Sequence, residues 1–372
     1  MGEGRAREAV SEMPRKNPRG SRPTLKDLAS KVGVHASTVS RALDAQTSSR
    51  LAPRLVEKIR RAALRSGYKP NSAARALKTR RSRTIGVVIP DIADPAFPPI
   101  IRGIEEGLSR NDYVAIVAST DGNPRRQQRV LETLCARGVD GLVLASVLRS
   151  DPMVSKLTAG IPVTTVIRQT DIPRFSSVLH DEDSGFRLAL THLVSLGHRA
   201  IATIAGPQSL STGHNRHVAF NRHAKLLGVS SDRPLAAFAK AFNEAEGERC
   251  TEELLVTGRP FSAIVCANDR LAIGAIAALR RHGLRCPDDV SVTGFNDMPL
   301  ADRLSPALTT VRVQHFQAGV EAAEIVVDMI ENAGTEAPRH LILPVELVVR
   351  SSTQMFSRAS VGRRAEISSN IQ

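Results

Sequence analysis

The chain has few aromatic residues and few cysteines. Phe, Tyr and Trp together make up 3% of its 372 residues, and Trp is absent. The four cysteines are widely separated and show no Cys-x-x-Cys or Cys/His spacing, which disfavours both a disulfide framework and a zinc site. We therefore expect small buried thiols, no metal and no cofactor. The cysteines are Cys135, Cys250, Cys266 and Cys286.

Long apolar runs are also missing. No run approaches the roughly 18 residues that a membrane helix needs. The first 23 residues are charged and lack the apolar centre of a secretory signal. We therefore expect a cytoplasmic protein.

Several common enzyme motifs are absent. No Gly-x-Gly-x-x-Gly follows a predicted strand, and Gly-Lys never occurs, so that a Gly-Lys-Ser/Thr phosphate loop is excluded. Neither His-Glu-x-x-His nor Gly-x-Ser-x-Gly is present. We identify no catalytic residue and expect that the protein is not an enzyme.

Positive charge is abundant, and it is confined to the first quarter of the chain. Residues 1–83 hold 21 Lys and Arg against 6 Asp and Glu, whereas residues 84–372 hold 30 against 31. A local excess of this size, carried mostly by Arg, is typical of a surface that binds a polyanion. It favours nucleic acid ahead of an acidic membrane surface.

The segment 24–67 predicts three short helices around a small core. Thr24 and Asp27 resemble a capping box at the start of the first helix, and Gly33 can adopt the positive φ of a sharp turn. A second helix follows over 36–43, and a third runs from about Pro53 to Arg65. Helix, tight turn and helix together form a helix-turn-helix unit.

The second helix presents short hydrogen-bonding side chains and one Arg. These groups suit insertion into the DNA major groove, where Arg41 could pair with guanine through two hydrogen bonds. The alternative is an ordinary solvated helix surface. The outward residues are His35, Ala36, Ser37, Thr38, Ser40 and Arg41.

Beyond Arg83 the pattern changes to short β-rich runs that alternate with amphipathic helices. The first series contains IGVVIP, YVAIVAS, GLVLAS and PVTTVI, and the second contains AIATIAG, a run near Ala236 to Phe242, FSAIVCAN and VSVTGFN. Such alternation predicts two doubly wound parallel sheets, each with helices on both faces. Because ligands of parallel sheets bind beyond the carboxyl ends of the strands, we expect a ligand cleft between the two sheets.

Two runs identify a resemblance to a known family. They are TLKDLASKVGVHASTVSRAL and GYKPNSAARALKTRRSRTIGVVIPDIADPAF, and the likeness continues to LILPVELVVRSST. They resemble the lactose-repressor/galactose-repressor family of bacterial transcription regulators, over about residues 24–356. The resemblance implies a small helix-turn-helix domain and a core like the periplasmic sugar-binding proteins. It also implies a ligand-responsive, sequence-specific repressor that binds a pseudo-palindromic operator as a homodimer and is associated with the nucleoid.

The resemblance assigns residues 70–82 to a hinge helix and linker. In the family the leucine at the position of Leu77 enters the minor groove at the centre of the operator. His35 is a departure, because the family usually has Ser as the N-cap of the recognition helix. The DNA-binding residues that we predict are Thr24, His35, Ala36, Ser37, Thr38, Ser40, Arg41, Tyr68, Asn71, Ala74, Leu77 and Lys78.

The resemblance also assigns effector-binding positions in the cleft. Ile167 stands where many members have an acidic residue, and Asn296 where many have Asp, so that two carboxylates are lost while two arginines are kept. A neutral or anionic effector, such as a sugar or sugar acid, is therefore favoured over a cation. We assign His180, His192 and His198 structural roles. The predicted effector-binding residues are Phe97, Arg168, Thr212, Arg216, Phe242, Asn268 and Asn296.

The expected domain organisation follows from these assignments. A flexible basic tail (1–22) precedes the DNA-binding domain (23–69), the hinge and linker (70–82) and the effector-binding and dimerisation domain (83–357), and a flexible tail (358–372) follows. One subdomain would comprise about 83–180 and 313–342, and the other about 181–312 and 343–357. Dimer contacts are expected around Pro98 to Leu108, Leu271 to Leu284 and Asp297 to Leu304.

Two other interpretations remain open at this point. One is a DNA-binding protein whose cleft no longer binds a ligand. The other is a Rossmann-like enzyme fused to a basic module. A metabolite that shifts both the melting temperature and the operator affinity would favour the regulator, whereas turnover would favour the enzyme.

Overall fold

The computed structural model describes residues 23–44, 47–68, 81–229, 235–332 and 337–357. The chain divides after Arg80 into two compact units, one of residues 1–80 and one of residues 81–372. Each unit has its own hydrophobic core.

The first unit contains three helices, as the sequence predicts: α1 (Leu25–Val32), α2 (Ala36–Leu43) and α3 (Pro53–Ser66). A short 3₁₀ helix (Ser48–Arg50) precedes α3. Thr24 and Asp27 form the predicted capping box, and Gly33 ends α1 with φ of 77°. This left-handed φ is accessible to glycine without steric cost, and it turns the chain directly into α2.

A single small core holds these helices together. Leu28, Val39 and Ile59 are fully buried, one from each helix. Small residues at Ala29, Ala42 and Ala63 allow the helices to approach closely. The amphipathic spacing in the sequence therefore determines this core directly.

The second unit contains twelve strands and eight helices in its described part. The strands are β1 (Thr84–Ile89), β2 (Val114–Ser119), β3 (Gly141–Leu144), β4 (Val163–Val166), β5 (Ser176–His180), β6 (Ile201–Ala205), β7 (Ala236–Phe238), β8 (Ala263–Cys266), β9 (Ser291–Asn296), β10 (Thr309–Arg312), β11 (His340–Leu343) and β12 (Glu346–Val348). The helices are α4 (Phe97–Ser109), α5 (Pro124–Ala136), α6 (Pro152–Leu157), α7 (Glu182–Ser195), α8 (Ser211–Leu226), α9 (Glu244–Val256), α10 (Asp269–Arg281) and α11 (His315–Glu331). A 3₁₀ helix spans Ala301–Arg303.

The strands form two six-stranded sheets, which confirms the predicted fold class. The first sheet has the order β11-β5-β4-β3-β1-β2, and all of its strands are parallel. The second has the order β12-β10-β9-β8-β6-β7, and only β12 runs antiparallel to its neighbour. Successive strand residues face opposite sides of a sheet: Val87 packs toward α4 and α11, whereas Val88 packs toward α5 and α6.

The chain crosses between the two sheets three times. It passes from β5 to α7, from β10 to α11, and from β11 to β12. The third crossing lies one residue later than the subdomain boundary predicted between residues 342 and 343, because Leu343 still pairs with His180 in the first sheet. Likewise, Arg81 and Ser82, which the sequence assigned to the linker, are bonded to Glu331 and Asp140 of the larger unit.

One predicted strand is shorter than expected. The sequence indicated a run from about Ala236 to Phe242, but β7 ends at Phe238. Its neighbour β6 ends opposite Phe238 at Ala205, whose carbonyl oxygen accepts a hydrogen bond from the N–H of Ala239 at 2.9 Å. The residues after Ala239 form no further pairs with β6 in the described part of the chain. They turn instead toward the end of the sheet, where Phe242 becomes available to a cleft.

Two further properties of the described residues bear on function. No described helix is both long enough and apolar enough to cross a membrane. No group of three His, Cys, Asp or Glu side chains in the described part of the chain could hold a metal ion.

Close packing of α4 against α11 depends on glycine. A Cβ at Gly103 would overlap the carbonyl oxygen of Phe316, and a Cβ at Gly319 would overlap that of Ile100. We expect Gly103→Ala to lower the free energy of unfolding by about 1–3 kcal/mol, because overpacking outweighs the roughly 1 kcal/mol gain in helix propensity. Urea unfolding measures this difference. Glu105→Ala, on the exposed face of the same helix, is the matched control, and equal stability of the two variants would contradict the prediction.

Candidate functional site

The start of α2 is capped by a histidine. The Nδ1 atom of His35 accepts a hydrogen bond from the backbone N–H of Ser37 at 3.3 Å and lies 2.8 Å from its hydroxyl oxygen. An imidazole therefore performs the capping function that Ser usually performs at this position. The imidazole ring itself is exposed at the N-terminus of α2.

The outward face of α2 is narrower than the sequence predicted. His35, Ser37 and Arg41 are exposed, whereas Thr38 and Ser40 are half-buried. Ala36 is also half-buried and packs against the core of the unit, and its contact with DNA stays a prediction.

The guanidinium of Arg41 is held near its own helix. Its Nε atom donates a hydrogen bond to the carbonyl oxygen of Ser37 at 3.3 Å. Since only one donor is used, the other guanidinium donors can face a base edge or a phosphate. The first unit therefore offers one exposed Arg on a helix with short polar neighbours.

The remaining predicted DNA contacts divide into two groups. The Thr24 hydroxyl is part of the capping box, and Tyr68 packs against the core of the unit. Asn71, Ala74, Leu77 and Lys78 lie outside the described residues, and their assignments stay predictions.

A cleft of about 810 Å³ lies between the two sheets of the larger unit. Its walls are loops that follow the carboxyl ends of the strands, as expected for open parallel sheets. Both sheets contribute. All seven predicted effector-binding residues line it: Phe97, Arg168, Thr212, Arg216, Phe242, Asn268 and Asn296.

Polar atoms without partners are concentrated in this cleft. Among the described residues, seven buried side-chain nitrogen or oxygen atoms lack a hydrogen-bond partner. Five of these atoms belong to four cleft side chains, one each to Ser146, His180 and Thr212 and two to His315. Because a buried polar atom without a partner costs stability, such a concentration is typical of a binding site rather than of a core.

His180 and His315 form the floor of the cleft as an edge-to-face pair with 5.5 Å between ring centroids. Burial lowers the pKa of His315 to about 3, with the neighbouring His180 and Arg216 as smaller causes. Burial, together with Arg216, lowers the pKa of His180 to about 4. Both imidazoles are therefore neutral near pH 7, and each can donate and accept hydrogen bonds.

Arg216, on α8, is anchored from three directions. Its Nε atom lies 2.8 Å from the Oε1 atom of Glu182, and Nη1 donates to the carbonyl oxygen of Ala267 at 2.6 Å. The guanidinium carbon lies 3.9 Å from the ring centroid of Phe295. Burial raises the pKa of Glu182 to about 7, although Arg216 opposes this rise. Arg216 is thus a fixed part of the wall, held by its pairing with Glu182.

Arg168 differs from Arg216, although both are buried. Arg168 is only 8% exposed and lies two residues after the end of β4. Burial lowers the pKa of Arg168 to about 10. Within the described residues it forms no ion pair and donates no hydrogen bond, so its donors face the cleft.

Contacts between the two subdomains hold the cleft at its edges. Asp94, after β1, lies 3.6 Å from the Nη1 atom of Arg270 at the start of α10, and Arg270 also pairs with Glu244 at 2.7 Å. Burial raises the pKa of Asp94. At another edge, the backbone N–H of Gln169 donates to the hydroxyl of Ser211 at 2.8 Å. These polar contacts join the two subdomains across the cleft.

Asn268 has two roles. Its Oδ1 atom caps α10 by accepting from the N–H of Leu271 at 2.9 Å, and its side chain also lines the cleft. The next residue, Asp269, is buried and accepts hydrogen bonds from the Thr310 hydroxyl and from the backbone N–H of Met298. The capping function and the binding position therefore coincide.

Some cleft residues were not identified from the sequence. Ser146 and His180 lie at the ends of β3 and β5, so the strand-end rule that found Arg168 could have found them. His180 had been assigned a structural role, and its position in the cleft corrects that assignment. His315 lies at the second crossing, where no local pattern marks it. His192 and His198 bond instead to Thr353 and to Ser262 and Gln354, away from the cleft.

Comparison with known proteins gives consistent findings for both units. The profile of the family described as "Bacterial regulatory proteins, lacI family" matches residues 24–71, and that of "Periplasmic binding protein-like domain" matches residues 190–353. The HTH-type transcriptional regulator CelR of Thermobifida fusca is 34% identical over 342 residues, which cover 90% of this chain and 99% of the relative.

Solved structures agree. The lac repressor dimer bound to operator and the anti-inducer ONPF is similar with a TM-score of 0.79 and 27% identity, over 90% of this chain and 100% of that chain. The transcriptional regulator CelR–cellobiose complex has a TM-score of 0.68 and 31% identity, over 89% and 100%.

The neutral histidine pair predicts a pH dependence of stability. When pH falls below about 6.5, the unfolded chain protonates His315 whereas the folded chain does not, so that stability decreases until the folded pKa near 3 is reached. Between pH 7.5 and pH 5 the loss from His315 is about 2 kcal/mol. We expect His315→Asn to remove this part of the pH dependence of stability.

Urea unfolding of both proteins across this pH range measures the effect. His180, whose folded pKa is lowered, and Glu182 and Asp269, whose folded pKa values are raised, contribute to both curves, so the difference between the curves reports on His315. Parallel curves for the two proteins would contradict the prediction.

Proposed function

The chain belongs to the lacI family of bacterial regulatory proteins, and we propose from this premise that it is a ligand-responsive, sequence-specific transcription regulator. It acts as a repressor. It binds a pseudo-palindromic operator as a homodimer, and a small metabolite in the cleft controls its affinity for DNA. We further propose that it works in the cytoplasm, on DNA, and that it catalyses no reaction.

One observation supports this proposal above the others. A single chain carries a capped helix with an exposed Arg in a basic segment, and a cleft in which five buried polar atoms lack hydrogen-bond partners among the described residues. A protein with a silent cleft would leave those atoms unsatisfied with no compensation. The two cleft histidines are poorly suited to general-base catalysis near neutral pH, because burial lowers the pKa of His180 to about 4 and that of His315 to about 3, and neither is hydrogen-bonded to a nucleophile among the described residues.

Dimerisation would place two α2 helices on successive major grooves. We propose that Pro98 to Leu108, Leu271 to Leu284 and Asp297 to Leu304 supply the contacts between protomers. Leu300, in the last of these segments, is 69% exposed and has a left-handed φ of 73°. A large apolar side chain presented in this way is typical of an interface.

The effector would act through the relative position of the two subdomains. Few polar contacts join them at the cleft edges, so a ligand that bridges both walls changes their relative orientation. In a dimer this alters the spacing of the segments that lead to the two DNA-binding units. A coupling free energy of about 1–3 kcal/mol would change operator affinity by roughly 5- to 150-fold.

The role of Arg41 in base recognition can be tested directly. We expect Arg41→Ala to weaken binding to an operator selected from random DNA by about 1–3 kcal/mol, and to change binding to unrelated DNA little, because base contacts carry sequence preference. Fluorescence anisotropy with both DNAs measures this. Arg60→Ala, on the exposed face of α3, is the control for a general loss of positive charge. Equal losses on both DNAs for Arg41→Ala would contradict base recognition.

The cleft can be tested with a substitution that preserves shape. Thr212→Val removes an unpartnered hydroxyl, so we expect the free protein to become more stable by about 1 kcal/mol. Affinity for the metabolite that gives the largest thermal shift in a screen of sugars and sugar acids should fall by roughly 5- to 10-fold. Arg216→Ala is a poorer test, because it would also leave Glu182 buried without its partner. Unchanged metabolite affinity in Thr212→Val would exclude Thr212 from the site.

A further inference from the structure

Among the described residues, one buried positive charge in the cleft has no ion-pair partner. Arg216 pairs with Glu182, and Arg270 pairs with Glu244 and approaches Asp94. Arg168 forms no ion pair and donates no hydrogen bond among the described residues, although it is only 8% exposed. Asp94, the carboxylate that acts on it electrostatically, is already directed toward Arg270. A counter-charge for Arg168 must therefore come from outside the described chain.

Burial of such a group is costly. Taking a guanidinium out of water without a paired acceptor destabilises the folded state, and its pKa is correspondingly lowered. Arg168 contributes five N–H donors in a planar arrangement that matches the oxygen atoms of a carboxylate or a phosphate. Such a residue, open to a cleft, is suited to binding an anion.

The backbone beside Arg168 is strained. Ile167 has φ of 56°, in the left-handed region that β-branched side chains strongly disfavour, and its side chain also lines the cleft. The chain therefore holds an unfavourable conformation at the residue that precedes the unpaired cation. Strain of this kind is retained where the position of a neighbouring group matters.

The other unpartnered atoms are uncharged. The hydroxyls of Ser146 and Thr212 and the neutral imidazoles of His180 and His315 can bind hydroxyl groups, which both donate and accept hydrogen bonds. One end of the ligand would thus be charged and the remainder hydroxylated.

We infer that the effector is an anionic, hydroxylated metabolite whose carboxylate or phosphate pairs with Arg168. This inference rests on the proposed function, because it specifies the chemical class of the ligand of the same cleft. It replaces the broader expectation of a neutral or anionic sugar with a defined charge and a defined partner.

The first test uses probes that share a carbon skeleton. Isothermal titration of the full chain with D-glucose, D-gluconate, D-glucose 6-phosphate and inorganic phosphate, at constant ionic strength, compares the wild type with Arg168→Gln. We expect at least one anion to bind the wild type about 10- to 100-fold more tightly than it binds the variant, and D-glucose to show no such difference. The comparison of gluconate with glucose 6-phosphate distinguishes carboxylate from phosphate. Equal binding of every anion to both proteins, or no anion binding at all, would overturn the inference.

The second test concerns the stability of the free protein. If Arg168 serves to bind an anion, Arg168→Gln removes an unpaired buried charge, and the melting temperature of the ligand-free protein rises. If Arg168 has a structural role, the melting temperature falls. Addition of phosphate should then raise the melting temperature of the wild type more than that of the variant.

The third test places a carboxylate next to the guanidinium. Ile167→Asp and Ile167→Asn have nearly the same shape, and both residues tolerate the left-handed φ better than Ile does. Only the Asp variant supplies a carboxylate that can form an ion pair with Arg168 and compete with a bound anion. We expect Ile167→Asp to bind inorganic phosphate about 10-fold more weakly than Ile167→Asn, and equal affinities would contradict the inference.

Measurements of operator binding distinguish a failure of the anionic-effector inference from a failure of the proposed function. If D-glucose alters operator affinity while gluconate, glucose 6-phosphate and phosphate do not, the regulator stands and the anionic effector is wrong. If the protein binds selected and random DNA equally, the proposed function fails, and the titrations of the cleft still decide whether Arg168 binds an anion.

Discussion

The constraint on which the larger unit depends is that a parallel sheet covered by helices on both faces leaves only its strand ends to solvent. The central strands β1, β3, β4, β6, β8 and β9 are almost entirely buried. Polar side chains are therefore displaced to the loops beyond the carboxyl ends. Because the chain crosses three times between the sheets, those two sets of loops face each other and enclose the cleft.

Three arginines in this cleft show how the environment determines the role of a residue. Arg216 is fixed by Glu182, by a carbonyl oxygen and by an aromatic ring, and it forms part of the wall. Arg270 pairs with Glu244 of its own subdomain and connects the two subdomains through Asp94, so that this contact depends directly on the geometry of the cleft. Arg168 has no partner among the described residues, and it is the group through which charge on a ligand would be recognised.

The smaller unit illustrates how a local substitution can preserve a structural function. His35 stands at a position where serine is usual in the family, yet its imidazole nitrogen still caps α2. The cap satisfies a backbone N–H that would otherwise be exposed at the helix start. The imidazole ring is exposed beside Ser37 and Arg41, so the exposed surface of α2 differs in shape from one that carries serine, while the helix itself is retained.

The sequence alone determined the three helices of the first unit and the two series of strands, because these depend on local periodicity. It also placed Arg168 in the loop after a strand, whereas the other six predicted effector residues came from the resemblance to a known family. The sequence also located the basic charge within residues 1–83. Only the tertiary structure could show that His180 and His315 meet in the cleft, since 135 positions separate them in the chain and one belongs to a crossing with no local signal. The same holds for the pairing of Arg216 with Glu182 and for the isolation of Arg168. Whether a buried charge finds a partner depends on side chains that distant segments bring together, and that is decided by packing rather than by any pattern along the chain.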